Sequence, residues 1–302
     1  MKIALLKGGL SSEREVSLKT AASVAGALKS ITNDVVEIDV GYDLPQKLAE
    51  AKPDLAFIAL HGTYGEDGCV QGLLEFMKIP YTHSSITTSA IAMNKELTQK
   101  LLAASSIKCA KNVCGSIDEI NFDVLPTPFV LKPVAEGSSV GVSIIKTEDD
   151  FKKAKADWKY GRAMAEEYIA GRELSVAVLD SPKPTALGVI ELRPKAGFYT
   201  YENKYTDGKT EHLCPAPLPK DKYAEVMQLA LAAHRALGCR GLSRADFRYD
   251  DTQPGVEGLY LLEINTHPGM TPLSLVPEIA AYCGISFNQL VDRLVQGAQC
   301  RN

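Results

Sequence analysis

No apolar run in the 302-residue chain approaches the length needed to cross a bilayer, so no transmembrane helix is expected. The opening, Lys2 to Lys7, places four apolar residues between two lysines, too few for the apolar region of a secretory signal. There is no CxxC pair. The seven cysteines (Cys69, Cys109, Cys114, Cys214, Cys239, Cys283 and Cys300) are expected at small buried positions in a reducing compartment, rather than in disulfides or a zinc site. Five dispersed histidines show no metal-ligand spacing, and there are no internal repeats or low-complexity tracts. Charge of either sign is not in excess. Thirty-three basic against 37 acidic residues leave a net charge of −4 and a pI near 5.8, which gives no electrostatic reason to expect nucleic acid or an anionic membrane as partner.

What is present fits a cytoplasmic enzyme. At 45% hydrophobic residues, 302 residues supply ample core for two or three domain-sized units. Residues 1–93 alternate strand and helix signals: a buried strand at Lys2–Lys7, a helix over Glu13–Lys29, strands at Val35–Val40 and Asp54–Leu60, and a helix at Cys69–Met77. That order predicts a parallel sheet and an α/β fold. Residues 94–180 open with a helix near Lys95–Ala104, followed by strands at Phe129–Lys132 and Gly141–Lys146. Residues 181–302 hold a helix over Lys222–Leu237, and Phe198–Pro219, rich in Tyr, Lys, Gly and Pro, has the composition of a mobile lid. His83, His212 and His234 carry no motif, and His234 is expected to be solvated. Trp158 is expected as a packing anchor, and Asp149-Asp150 as a solvated helix start.

The most chemical segment is a pair of alternating stretches about the turn Asp250–Gly255. One has Arg244, Asp246 and Arg248 on one face; the other has Leu261, Glu263 and Asn265 on one face. A hairpin symmetric about Pro254-Gly255 sets Asp246 opposite Glu263. Two facing carboxylates repel unless a cation lies between them. Oxygen donors from Asp, Glu and Asn suit Mg²⁺, which takes one or two carboxylates together with substrate phosphates. The plain alternative is that Arg244 and Arg248 neutralise the acids on an exposed face.

Leu131–Ile145 reads as strand, glycine–serine loop, strand. It lacks the Gly-Lys-Ser/Thr of a Walker loop, yet its backbone N–H groups and Lys132 can meet phosphate oxygens; an ordinary flexible hairpin is the alternative. At Lys7–Ser17 a strand leads into a helix without a GxGxxG pattern. Ser12 and Glu15 have capping-box spacing. Glu13 sits in the first turn and points from the mouth of the sheet, with a helix-dipole role as its alternative.

Taken in order, the motifs GGLSSEREVS (8–17), IALHGTYGEDGCVQG (58–72), MNK (93–95), LKPVAEGSSVGV (131–142), EEYIAGREL (166–174), ENKYTD (202–207), GLSRADF (241–247) and EINTHPGMTPLSLVP (263–277) resemble the D-alanine–D-alanine ligases of the ATP-grasp superfamily, essentially end to end. The resemblance implies an ATP-grasp fold of three domains: an N-terminal α/β substrate domain (1–93), a central subdomain (94–180) and a C-terminal metal and substrate domain (181–302), with ATP between the last two. It implies ATP-dependent joining of two D-alanines through an acyl phosphate, for peptidoglycan, by a cytoplasmic homodimer.

Position by position, it implies that Lys95, Lys132 and Lys204 contact the nucleotide, that Glu166, Glu167, Tyr168 and Ile169 line the adenine pocket, and that Glu173 reaches the ribose. Asp246, Glu263 and Asn265 would hold two Mg²⁺ (or Mn²⁺) ions. Glu13, assisted by His61, would pair with the first D-alanine's ammonium in a hydrogen-bonded set with Ser138 and Tyr205. Arg244 and the N–H of Gly269 would bind the oxyanion, and Ser274 with Leu275 the second D-alanine's carboxylate. His267 and Pro272 depart into positions where the family varies, which bears on the second-substrate pocket. Relatives making D-alanyl-D-lactate or D-alanyl-D-serine, and a non-catalytic nucleotide-binding regulator, are the alternatives. Lys204-Tyr205 argues against the lactate type, and Lys132, Arg244, Asp246, Glu263 and Asn265 together argue against the regulator.

Overall fold

The computed structural model describes residues 1–195, 209–253 and 255–300. Among them three sheets succeed one another along the chain. The first is parallel, with β1 (Ile3–Gly8) between β2 (Val35–Val40) and β3 (Leu55–Ile58). Ile3, Ala4, Leu5 and Leu6 are all fully buried, so β1 is covered on both faces, as its uninterrupted apolar run requires. Between β1 and β2 runs α1 (Arg14–Ile31), which buries Val16, Thr20, Val24 and Leu28, a stripe at four-residue spacing. Its start differs from the expected capping box. Glu13 itself is the residue before the first turn, and no side chain caps the helix, so Ser12 and Glu15 have no capping role. The chain continues through α2 (Leu44–Ala51), α3 (Cys69–Phe76), α4 (Ile86–Met93) and α5 (Lys95–Ala104). Asn94 caps α5 by accepting the N–H of Leu97 at 3.0 Å.

The second sheet is antiparallel: β4 (Asn112–Gly115), β5 (Phe129–Pro133), β6 (Ser143–Ile145) and β7 (Ala163–Glu167), in the order β4-β7-β5-β6. Strand β6 starts at Ser143, so Val140 and Val142 belong to the loop rather than to a resumed strand. Ser138 and Ser139 both adopt left-handed backbone there, which ends the strand alternation. Helix α6 (Glu148–Ala156) starts in a full Thr147/Asp150 capping box, so Asp150 serves the backbone as well as solvent. Trp158 packs edge-on against Tyr160 and donates to the Gly161 carbonyl.

The third sheet, also antiparallel, takes β8 (Arg172–Asp180), β9 (Pro184–Pro194), β10 (Thr210–Leu213), β11 (Leu242–Tyr249) and β12 (Leu259–Asn265) in the order β10-β9-β8-β11-β12. Strand β10 lies within the Phe198–Pro219 stretch; residues 198–208 of that stretch are outside the described residues. Helix α7 (Lys220–Ala236) buries Val226, Ala230 and Ala233 in the core beneath this sheet. It also buries His234, contrary to the expectation that this side chain is solvated, because Nδ1 is 2.7 Å from the Ser243 hydroxyl. The last helices, α8 (Leu275–Tyr282) and α9 (Phe287–Gln296), share one core with α1, β1 and β3, so the end of the chain closes on its beginning. The cysteines also differ from expectation: only Cys239 is buried, and Cys69 and Cys283 are exposed.

Candidate active site

Two clefts open where the three sheets meet, and they share the side chains of Lys95, Glu136, Arg244 and Glu263 together with Gly269. The larger, about 1210 Å³ counted out to solvent, also receives Lys132, Glu166, Glu167, Tyr168, Ile169, Glu173, Asp246, Ser274 and Leu275. The smaller, about 710 Å³, receives Glu13, His61, Ser138 and Asn265. Every sequence-predicted site residue among the described residues therefore lines one cleft or both. Lys204 and Tyr205 lie outside the described residues.

Hairpin β11–β12 forms the shared wall. Asp246 does face Glu263, and Arg244 faces Asn265, but the register slips between Asp246 and Phe247, where Phe247 pairs with Leu261. Leu262 is thus the extra residue of a bulge. The correction concerns Leu261: it is fully buried and does not share a face with Glu263, whereas Leu262, Glu263 and Asn265 all front the clefts. The bulge re-aims the two polar residues without losing the pairing at Asp246.

The acids and bases of the wall neutralise one another pairwise. Arg244 donates to both oxygens of Asp246, Nε at 2.8 Å and Nη2 at 2.7 Å, and the Ser175 hydroxyl adds a third donor at 2.6 Å. Lys95 Nζ lies 3.4 Å from Glu263 and donates to the Glu136 carbonyl at 2.6 Å. So Arg244 does neutralise Asp246, as the plain alternative had it, while Glu263 is matched by a lysine from α5. Arg248 instead braces the turn after β7, donating to the carbonyls of Ile169 at 3.0 Å and Gly171 at 2.7 Å, with Glu173 3.4 Å away.

Deeper in the larger cleft, Lys132 on β5 donates to Glu166 on β7 at 2.6 Å, with both side chains buried. Gln99 on α5 donates to the other Glu166 oxygen at 2.7 Å, and Asn112 on β4 donates to Gln99 at 2.6 Å. Gln99 and Asn112 were not legible as site residues, since the links span 67 and 13 positions. The buried pair is held by four elements.

In the smaller cleft, Glu13 is buried, and the Ser138 hydroxyl donates to its carboxylate. Glycine is needed nearby: a Cβ at Gly62, where φ is +70°, would come within 2.8 Å of the Glu13 carboxylate, and one at Gly137 within 3.0 Å. His61 does not bond Glu13. Its Nδ1 is 3.0 Å from Glu66 and its Nε2 2.9 Å from the Thr20 hydroxyl. Burial pushes the Glu66 carboxyl up from the usual range despite the hydrogen bond from His61. Burial also raises Glu136, with the Glu13 charge adding to the effect and Lys95 opposing it. Sequence reasoning missed both acids, although Glu66 and Glu136 lie inside motifs 58–72 and 131–142. Ser274 precedes α8, and its hydroxyl is 3.0 Å from the Thr271 N–H and 2.8 Å from the Thr271 hydroxyl.

The wall can hold a hard cation. Among the described residues there is no cluster of three or more His, Cys, Asp or Glu suited to a metal. Two carboxylates and an amide oxygen nevertheless match what Mg²⁺ takes when phosphates complete its shell. A carboxylate offers about four acceptor positions, and Arg244 and Ser175 fill those of Asp246 with four hydrogen bonds, so a cation bound there would displace one of these donors. Asn265 Oδ1 accepts one backbone N–H, from His267 at 2.7 Å, and keeps a second lone pair. Among the described residues no helix is long and apolar enough to cross a membrane.

Residues 41–84 match the D-ala D-ala ligase N-terminus family, and residues 83–296 the D-ala D-ala ligase C-terminus family. The D-alanine–D-alanine ligase of Rhizorhabdus wittichii is 51% identical across 99% of this chain and 96% of its own. The Parvibaculum lavamentivorans enzyme is 50% identical across 99% and 97%. The crystal structure of D-alanine–D-alanine ligase from Bacillus anthracis complexed with ATP superposes with a TM-score of 0.84 at 30% identity, covering 98% of this chain and 97% of that one. With both family regions matched and full-length relatives at half identity, the chain belongs to the D-alanine–D-alanine ligase family, on an ATP-grasp fold.

Proposed function

We propose that the chain joins two D-alanines to D-alanyl-D-alanine at the expense of ATP, through an acyl phosphate. The observation that carries this is the shared wall. A phosphate-suited, partly apolar cleft and a small polar cleft meet at Lys95, Arg244, Glu263 and Gly269, where a γ-phosphate in one could meet a carboxylate in the other. In this reading the base and sugar occupy the space beside Glu166–Ile169 and Glu173, and Lys95 and Lys132 turn toward the phosphates. Lys204 is assigned to the nucleotide as well, and Tyr205 to the set with Ser138 and Glu13, both on the family resemblance alone. Asp246, Glu263 and Asn265 would hold Mg²⁺, which when bound supplies charge neutralisation to the phosphates.

Glu13, held by Ser138, pairs with the ammonium of the first D-alanine. That leaves its carboxylate oxygen to attack the γ-phosphorus while ADP departs. The second D-alanine, docked at Ser274 and the start of α8, where helix N–H groups favour a carboxylate, attacks the acyl carbon as a neutral amine. Arg244 and the Gly269 N–H stabilise the oxyanion that develops, and phosphate leaves. The dipeptide is a building block for peptidoglycan, and its ATP supply places the work in the cytoplasm. The same reading takes the chain as a homodimer and divides it into the three domains 1–93, 94–180 and 181–302. The test is ADP and dipeptide release on mixing protein, MgATP and D-alanine. Stoichiometric ADP and D-alanyl-D-alanine are expected, with nothing from L-alanine; equal turnover with L-alanine, or no ADP with D-alanine, would sink the proposal.

A further inference from the structure

Gln71, on α3, is fully buried and its amide nitrogen serves two acceptors: the Gly65 carbonyl at 2.8 Å and His267 Nε2 at 3.3 Å. Gly65 belongs to the turn that follows His61 and carries Glu66, on the first-substrate side of the smaller cleft. His267 lies in the turn after β12, and its backbone N–H holds the Asn265 side chain at 2.7 Å. The His267 ring is stacked on His83, with centroids 4.5 Å apart and planes 28° from parallel, and its Nδ1 is 3.2 Å from the Thr266 hydroxyl. For Nε2 to accept from Gln71, the ring proton must sit on Nδ1, a neutral form. Neither Gln71 nor His267 lines either cleft. One amide nitrogen therefore ties the loop behind one half of the site to the turn behind the other, 196 positions away along the chain.

We propose that Gln71 and His267 are positioning residues for ligation. Their buried bridge fixes the turn carrying Glu66 against the turn that follows Asn265 and carries Gly269, so that the activated acyl group meets the second amine before water. The inference rests on the ligase reading. Without the bridge the two turns separate, and water reaches the acyl carbon: its oxygen bonds to carbon, phosphate leaves, and D-alanine is regenerated. The net change is then ATP and water to ADP and phosphate, with no dipeptide.

The ratio of ADP to dipeptide distinguishes this from a merely structural role, because loss of folded protein lowers both products together. Gln71→Leu removes the donor at nearly constant volume, and His267→Leu removes the acceptor. His267→Gln returns an amide oxygen near the place of Nε2. We expect wild type to release about one ADP per dipeptide. Each leucine variant should cut the dipeptide kcat about tenfold, the loss expected of one hydrogen bond, raise ADP per dipeptide several-fold and leave KM for ATP within about twofold. His267→Gln should recover most of the loss. The double leucine variant should lose about tenfold rather than about a hundredfold, because both changes break the same bridge. An unchanged ADP to dipeptide ratio, or a multiplicative double loss, would overturn the inference; the His267 pair decides it alone if Gln71→Leu does not fold. Absence of dipeptide from wild type would instead overturn the ligase proposal, and this inference with it.

Discussion

Glutamine at position 13 and glutamine at position 15 are the same chemical change two residues apart, in opposite surroundings. Glu13 is 7% exposed, accepts from Ser138 and faces the smaller cleft between Gly62 and Gly137; Glu15 is exposed, and the helix start leaves it no capping role. Glu13→Gln keeps the shape but replaces a charged acceptor by a neutral amide, half of which is a donor turned toward the Ser138 hydroxyl or the substrate ammonium. A hydrogen bond to a charged group is worth about 1.5–3 kcal/mol, which corresponds to a fall of about tenfold to about 150-fold in kcat/KM for the first D-alanine. Glu15→Gln should change it less than about twofold, consistent with surface substitutions staying within about 0.5 kcal/mol. The assay is ADP release at fixed MgATP with D-alanine varied, fitted for the tighter of the two D-alanine sites, alongside the thermal midpoint of each variant. Equal damage from the two changes, or a Glu13→Gln enzyme with an unaltered constant for that site, would refute the assignment of Glu13 to the ammonium.

Glu166→Gln should lower stability to urea by about 3 kcal/mol, the lower end for breaking a buried ion pair because Lys132 also borders the cleft; an unshifted midpoint would contradict the four-element network around Glu166. Glu263→Gln should abolish turnover while sparing the fold, and in the absence of turnover it should weaken Mg²⁺-dependent ADP binding; a variant near wild type in both would remove Glu263 from the metal set. Burial pulls the His234 pKa down from 6.5 to about 4, so the folded state holds fewer protons than the unfolded state between those values. The stability from the neutral ring is complete above pH 6.5 and is lost as the pH falls toward 4. His234→Asn keeps a partner for Ser243 but cannot titrate, so its loss of stability between pH 7 and pH 5 should be shallower by about 2 kcal/mol; identical slopes would mean that His234 does not titrate in this way.

Several local signals set by short-range rules were legible. The apolar run of β1 and the helices over Glu13–Lys29 and near Lys95–Ala104 follow from periodicity, and the structure agrees within a few residues. The facing of Asp246 and Glu263 was also legible, although the pairing nearer the turn is offset by one residue and the bulge at Leu262 restores it. No pattern of alternation announces such a bulge, which is why Leu261 was placed on the wrong face. Capping chemistry misled at Ser12, because the Ser11 hydroxyl takes the Glu13 N–H and donates to the His61 carbonyl instead. Buried polar networks were the least legible part. His234 with Ser243, Gln99 with Glu166 and Gln71 with His267 are decided by tertiary contact between elements, and each residue taken singly looks like an ordinary polar position. The motif order supplied by the family resemblance brought the dispersed residues together, and the structure adds the charge pairs between them.

The most direct test of the central claim follows an oxygen atom. If the carboxylate of the first D-alanine attacks the γ-phosphorus at the wall formed by Lys95, Arg244 and Glu263, one of its oxygens must leave with phosphate when the peptide bond forms. D-alanine labelled with ¹⁸O in its carboxylate, turned over with unlabelled ATP and ordinary water, should therefore give inorganic phosphate carrying one ¹⁸O for each dipeptide made. Phosphate free of label, released alongside D-alanyl-D-alanine, would contradict the account.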